Sequence, residues 1–141
     1  MKYRILDHVG EAAFEAFGSS ERELFENAAL ALFETMADTK KLAGKKSRTF
    51  GLRANSLEGL LHRFLSELIF LKDAKHRLFK SSKVRIQKGR GHYALLAKAQ
   101  GDEVEEVATN VARTDVKAVT FNRFSLVKKK KGFEATVVLD I

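Results

Sequence analysis

The chain has 141 residues, 45% of them hydrophobic and 31% charged, with a formal net charge of +8 and no cysteine. That length favours one domain, residues 1–141, and a domain of this size buries roughly two-thirds of the surface its unfolded chain exposes. Disulfides, thiolate metal sites and cysteine nucleophiles are excluded; no stretch approaches the ~20 apolar residues of a membrane span, and the N-terminus lacks the apolar core of a signal peptide, so cytoplasm is the expected compartment.

Tyr3, Ile5 and Asp7 alternate with Arg4 and Leu6, which predicts a first strand. Val9-Gly10-Glu11 reads as a turn, and residues 12–17 return as a second strand closed by Gly18. Ser20 with Glu23 three residues on has capping-box spacing. Phe25, Ala29, Leu32, Phe33 and Met36 follow at helical intervals, so a helix is expected over 20–37. Residues 47–54 suit a strand with Phe50 and Leu52 on one face. Asn55 is the expected cap of a second helix, whose broad stripe includes Leu57, Leu61, Phe64, Leu65 and Leu68.

The second half reads as strands. Val84 and Ile86 alternate with charged residues, Gly89-Arg90-Gly91 supplies a turn, and Tyr93, Leu95, Ala97 and Ala99 alternate again. Residues 103–114 show no period and read as a loop. Strands are expected at 115–121, 124–128 and 133–141, with a charged hairpin tip at Lys128 to Gly132. Two helices followed by a strand-rich half predict an α+β fold, one mostly antiparallel sheet with both helices packed on it. The closing run Val138-Leu139-Asp140-Ile141 is expected to be tied into that fold.

The positive charge makes an anionic partner worth weighing, nucleic acid first. The four-lysine run is ordinarily a soluble hairpin tip. Lys83, Arg85, Lys88, Arg90 and His92 gather near Tyr93, a pattern suited to single-stranded RNA, but the alternation places Tyr93 on a core face as readily. Gly89-Arg90-Gly91 lacks the setting and ending of a phosphate loop, and no nucleophile elbow is present. His62 and His76 have no partner at ligand spacing and read as structural or solvated. Glu11, Asp140 and the Ile141 carboxylate supply oxygen donors of the kind hard cations take, yet nothing local pairs them.

Several segments together resemble the archease family. Residues 3–8 (Tyr-Arg-Ile-Leu-Asp-His) look like its opening, residues 24–33 its first helix, and residues 60–73 its second. Asp115-Val116-Lys117-Ala118-Val119-Thr120 is similar to its Val-Lys-Ala signature, and the Asp-Ile ending matches as well. The resemblance implies an accessory protein, not an enzyme. It would activate an RtcB-type RNA ligase in tRNA splicing and RNA repair, promoting guanylylation of the ligase and repeated turnover. It also implies a divalent-metal site, calcium first, with manganese and magnesium as alternatives. Its ligands would be Glu11, Asp140 and Ile141, the last through backbone oxygens, with Lys117 contacting partner or phosphate. The family's opening usually reads His-Thr-Ala-Asp; here it is His8-Val9-Gly10-Glu11, so the carboxylate sits on a longer arm. The loop before the signature lacks the Lys-His pair of many relatives. The implied partner is the ligase, with RNA or GTP touched indirectly in that complex and no membrane. A small basic RNA-binding module and a stand-alone metal-dependent hydrolase are the competing classes.

Overall fold

A computed structural model describes residues 1–8 and 11–141, apart from the side chains of Asp7 and His8. The turn expected at Val9-Gly10 lies outside the described residues. β1 (Tyr3–His8) and β2 (Glu11–Gly18) are antiparallel, with Ile5 opposite Phe14 and Tyr3 opposite Ala16. Their strand character follows from the alternation, which turns Phe14 and Ala16 into the core.

Gly18 ends β2 because the next turn crowds it: an added Cβ would lie 2.3 Å from the Leu24 nitrogen. α1 (Glu21–Met36) then begins, and the Ser20 side chain accepts from the Glu23 amide. The Glu23 carboxylate reaches back one residue further than the expected box, to the Ser19 amide at 3.1 Å and the Ser19 hydroxyl at 3.2 Å. β3 (Lys46–Ala54) follows a single 3-10 turn at Thr39–Lys41. α2 (Leu57–Lys75) is capped by Ser56, not by the expected Asn55. Both are capping residues, and the Gly59 amide falls within reach of Ser56 Oγ at 3.0 Å. α2 ends at His76, whose φ of 52° is the left-handed turn that stops a helix.

The long hairpin β4 (Arg77–Gly89) and β5 (His92–Glu103) carries the expected alternation. Residues 103–114 are irregular, as expected, apart from a 3-10 turn at Val104–Glu106 and a bridge between Ala37 and Ala112. The segment expected as a strand over 115–121 pairs only at β6 (Ala118–Val119). β7 (Ser125–Lys129) and β8 (Gly132–Asp140) close the chain as a hairpin with the lysine run at its tip.

The α+β class and the two packed helices are as the sequence predicts. The strands divide into two antiparallel sheets rather than one. One has the order β1-β2-β8-β6, with β7 also on β8; the other has the order β3-β5-β4. α1 packs on β2 and β4, so one helix seals both sheets. Phe25 stacks on Phe64 at 5.8 Å, Phe50 on Phe64 at 6.1 Å, and Phe33 meets Phe79 at 5.7 Å. These rings join both helices to the three-stranded sheet within one continuous core. Among the described residues no helix is long and apolar enough to cross a membrane.

Candidate functional site

β2 and β8 are neighbours, although they lie at opposite ends of the sequence. Their ladder runs from Gly18–Phe133 to Ala12–Leu139. Glu11 and Asp140 are the next residues beyond its last pair, at the same end of the two strands. Two carboxylate residues therefore lie at the same end of the sheet. Ile141 follows directly and is 39% exposed.

Lys117 reaches the same place by a different route. Its amide donates to the Asp140 carbonyl at 2.8 Å, and the Thr120 amide donates to Val138 at 3.0 Å. These bonds flank the short β6–β8 ladder, in which Ala118 opposes Asp140. Beneath it Val116 is fully buried, while Lys117 is exposed. Behind Val116 stands Lys72 of α2, only 8% exposed, its ammonium 2.8 Å from the Val116 carbonyl and 2.6 Å from Asp115 Oδ1. The hydrogen bond and charge of Lys72 hold the Asp115 carboxyl below its ordinary range. The segment that presents Lys117 is thus pinned by one apolar plug and one buried cation.

A shallow cleft of ≈ 620 Å³ opens beside the acidic strand end, lined by Tyr3, Glu11, Glu34, Arg113 and Ile141 among others. Arg113 straps the preceding loop to α1. Its guanidinium donates to the Glu34 carboxylate at 3.1 Å and the Glu34 carbonyl at 3.0 Å, and its amide donates to the Met36 carbonyl at 2.8 Å. The Thr114 amide takes the Thr35 carbonyl at 3.2 Å. Three carbonyls at the end of α1, those of Glu34, Thr35 and Met36, which a free helix terminus would leave unpaired, are satisfied by this loop. Burial, then the nearby Glu34 carboxylate, raises the Tyr3 phenol in this cleft, and Arg113 opposes them.

Arg123 is a cationic neighbour of the Glu11 carboxylate, its Nη2 3.5 Å from Oε2. Two carboxylates plus main-chain oxygens are a hard-oxygen donor set, the chemistry that calcium, magnesium and manganese prefer. Among the described residues no group of three or more His, Asp or Glu side chains could hold a metal ion. A cation here would therefore rely on main-chain oxygen beside Glu11 and Asp140. The side chain of His8, at the start of the opening motif, lies outside the described residues, as do Val9 and Gly10 altogether.

His62 is structural, in line with the sequence reading. Its ring stacks on Phe121 at 3.9 Å, and Nε2 lies 3.2 Å from the Val119 carbonyl. Burial lowers its pKa, outweighing that hydrogen bond. Tyr93 faces the core side of β5, with Lys88 Nζ 5.9 Å from its ring centre, so it is no stacking platform for RNA. Sequence reasoning missed Lys72, Arg113 and Arg123. Lys72 alone had a signal: it falls four residues after Leu68, on the apolar stripe of α2.

A profile of the Archease protein family matches residues 3–141. A protein archease of Methanosarcina barkeri is 38% identical over 141 residues, 99% of this chain and 96% of that relative. One of Archaeoglobus fulgidus is 36% identical across the full length of both. The solution structure of a Methanobacterium thermoautotrophicum protein superposes with a TM-score of 0.84 at 33% identity, covering 99% and 98% of the two chains. A Thermotoga maritima crystal structure, described as an archease and possible chaperone, shares the fold with a TM-score of 0.63 at 17% identity. The chain belongs to the archease family.

Proposed function

From that membership, we propose that this protein is an accessory factor of an RtcB-type RNA ligase. It promotes guanylylation of the ligase and repeated turnover in tRNA splicing and RNA repair, and does not itself catalyse ligation. The observation that carries the proposal is the convergence of Glu11, Asp140 and Lys117 at one strand end, from three parts of the chain that the resemblance marks as functional.

In this reading the Glu11 and Asp140 carboxylates and the Ile141 main-chain oxygens hold one divalent cation, calcium first, with manganese or magnesium as alternatives. The cation supplies positive charge for phosphate oxygens in the ligase's nucleotide site. Lys117 adds a second positive charge at the same rim. Val116 and Lys72 keep that rim rigid, so little ordering cost falls due when the ligase docks. Arg123 balances Glu11 until docking.

The test is multiple-turnover ligation of an RNA with the cognate ligase at low concentration, with and without this protein. Stimulation is expected, with loss of most of it in Asp140→Asn and in Lys117→Ala. An active ligase that gains nothing from the protein would sink the proposal. Stimulation by Asp140→Asn equal to that of the parent would remove the cation site from it.

A further inference from the structure

The three-stranded sheet turns one face to the helices and the other to solvent. On the solvent face the cations are Arg53 of β3, Lys83 and Arg85 of β4, and Lys98 of β5, all exposed. The positions between them carry serine, threonine, glycine, alanine, glutamine and Leu96, and no carboxylate. None of the ion pairs among the described residues involves any of these four cations, although the chain holds 18 acidic residues. Protein surfaces normally intersperse the two signs. At the edge of β4, Glu21 and Glu26 of α1 line a cleft with Lys83 and Arg85, and Glu26 is engaged by Arg22 at 2.9 Å and by the Val84 amide at 2.9 Å.

A second observation points the same way. Lys83 and Lys98 are directly opposed in the β4–β5 ladder. Like charges at that position destabilise a sheet. Such a pair is stabilised when an anion bridges it.

We infer that this sheet face binds the phosphate backbone of double-helical RNA. Protein partners fit it poorly, because protein interfaces are depleted in lysine and centre on large apolar anchors. Here the one large apolar side chain is Leu96, 49% exposed. The face has no aromatic residue, so it cannot stack unpaired bases, and its contacts are to phosphate and sugar. A broad sheet surface suits the wide, shallow minor groove of A-form RNA, where serine, threonine and glutamine side chains meet 2′-hydroxyls. The major groove of B-form DNA instead admits a helix or a two-stranded ribbon. Binding is insensitive to sequence. This face involves none of the residues of the acidic strand end, so loss of RNA binding and loss of ligase stimulation are scored separately.

The test is fluorescence anisotropy with a labelled RNA hairpin stem, using the full chain alone. Affinity should fall on the order of 100-fold between 50 and 200 mM salt, as expected for about four phosphate contacts. The quadruple variant Arg53→Gln, Lys83→Gln, Arg85→Gln, Lys98→Gln should bind at least ~10-fold more weakly, with a salt slope smaller by about 3.6. Its melting temperature without RNA should equal or exceed that of the parent, which separates lost binding from lost folding. A matched control replaces Lys128 to Lys131 with glutamine and should retain most of the affinity. Equal losses in the two variants would overturn the inference in favour of diffuse net charge. Tighter binding to polyglutamate or to phosphatidylserine vesicles would overturn it in favour of an acidic protein or a membrane. A DNA duplex of the same sequence bound as well as RNA would overturn the choice of RNA.

Discussion

Lys72 Nζ lies 2.6 Å from Asp115 Oδ1, joining the last turn of α2 to the segment that presents Lys117. The lysine is 8% exposed and the aspartate side chain 78%. The pair is therefore asymmetric: the buried cation needs its partners, whereas the carboxylate can be solvated by water. Asp73 Oδ1 at 3.0 Å and the Val116 carbonyl at 2.8 Å complete the coordination of the ammonium.

Lys72→Met keeps the length of the side chain and removes its charge. It leaves the Val116 carbonyl without its donor, at a cost of about 1–2 kcal/mol. Asp115→Asn should cost less, because Asp73 and Val116 still hold the ammonium. Urea denaturation of the two variants checks the order. Ligase stimulation should fall more in Lys72→Met than its lost stability explains, because the segment carrying Lys117 loosens.

Asp102 sets an acid limit on stability. Burial pushes its carboxyl upward, but the Gly44 amide at 3.0 Å and the Lys45 amide at 3.2 Å, helped by Ala43, bring it below its ordinary value. Asp115 is shifted the same way. A depressed carboxylate contributes stability above its unfolded pKa, about 3.9, and loses it as pH falls through the folded value. The urea midpoint should fall slightly between pH 7 and 5, because the unfolded chain protonates His62 near about 6.5 while the buried ring resists it, and fall more steeply below about pH 4. Asp102→Asn should lower the plateau and flatten the fall; a parallel, undiminished fall would assign the acid sensitivity to other carboxylates.

Gly101 lies on β5 opposite Phe79, beside the bulge between Phe79 and Ser81. An added Cβ would lie 2.1 Å from the Leu78 carbonyl oxygen and 2.7 Å from the Phe79 Cα. Both are backbone atoms, so the clash cannot be relieved by a rotamer change. Gly101→Ala should destabilise by about 1–3 kcal/mol, and a thermal melt reads it directly. Gly91→Ala, at φ 65° with open space around it, tests backbone strain alone and should cost less.

Much of this architecture was legible because it is local. The helical spacing of Phe25, Leu32 and Met36 and the alternation of Leu95, Ala97 and Ala99 report burial on one face, and burial is what the fold obeys. The strand expected over 115–121 failed for a reason that is not local. One edge of β8 is shared, with β7 taking residues 132–136 and β6 only 139–140. Asp115 and Val116 are fixed instead by Lys72 and the core. The division into two sheets was equally hidden, since it depends on which strands α1 separates. The placement of Glu11 and Asp140 at one strand end needed the β2–β8 ladder, which composition and periodicity do not encode; only the family's motifs marked those positions.

The contact between Arg123 and Glu11 yields a prediction about the acidic end. An arginine 3.5 Å from a carboxylate competes with any cation for the same charge. If Glu11 and Asp140 hold calcium, Arg123→Gln should tighten it, by about 2- to 5-fold for an exposed pair of this kind. Glu11→Gln should weaken it, and Glu11→Asp should restore the shorter arm usual at this position in the family. Isothermal titration with calcium, then with magnesium and manganese, orders the variants. Arg123 lies at φ 53°, so Arg123→Gly as well as Arg123→Gln should be made, because glycine tolerates that backbone. Tightening in both variants would attribute the effect to the lost charge. Tightening in the glycine variant alone would attribute it to loop relaxation and leave Glu11 without a competing cation.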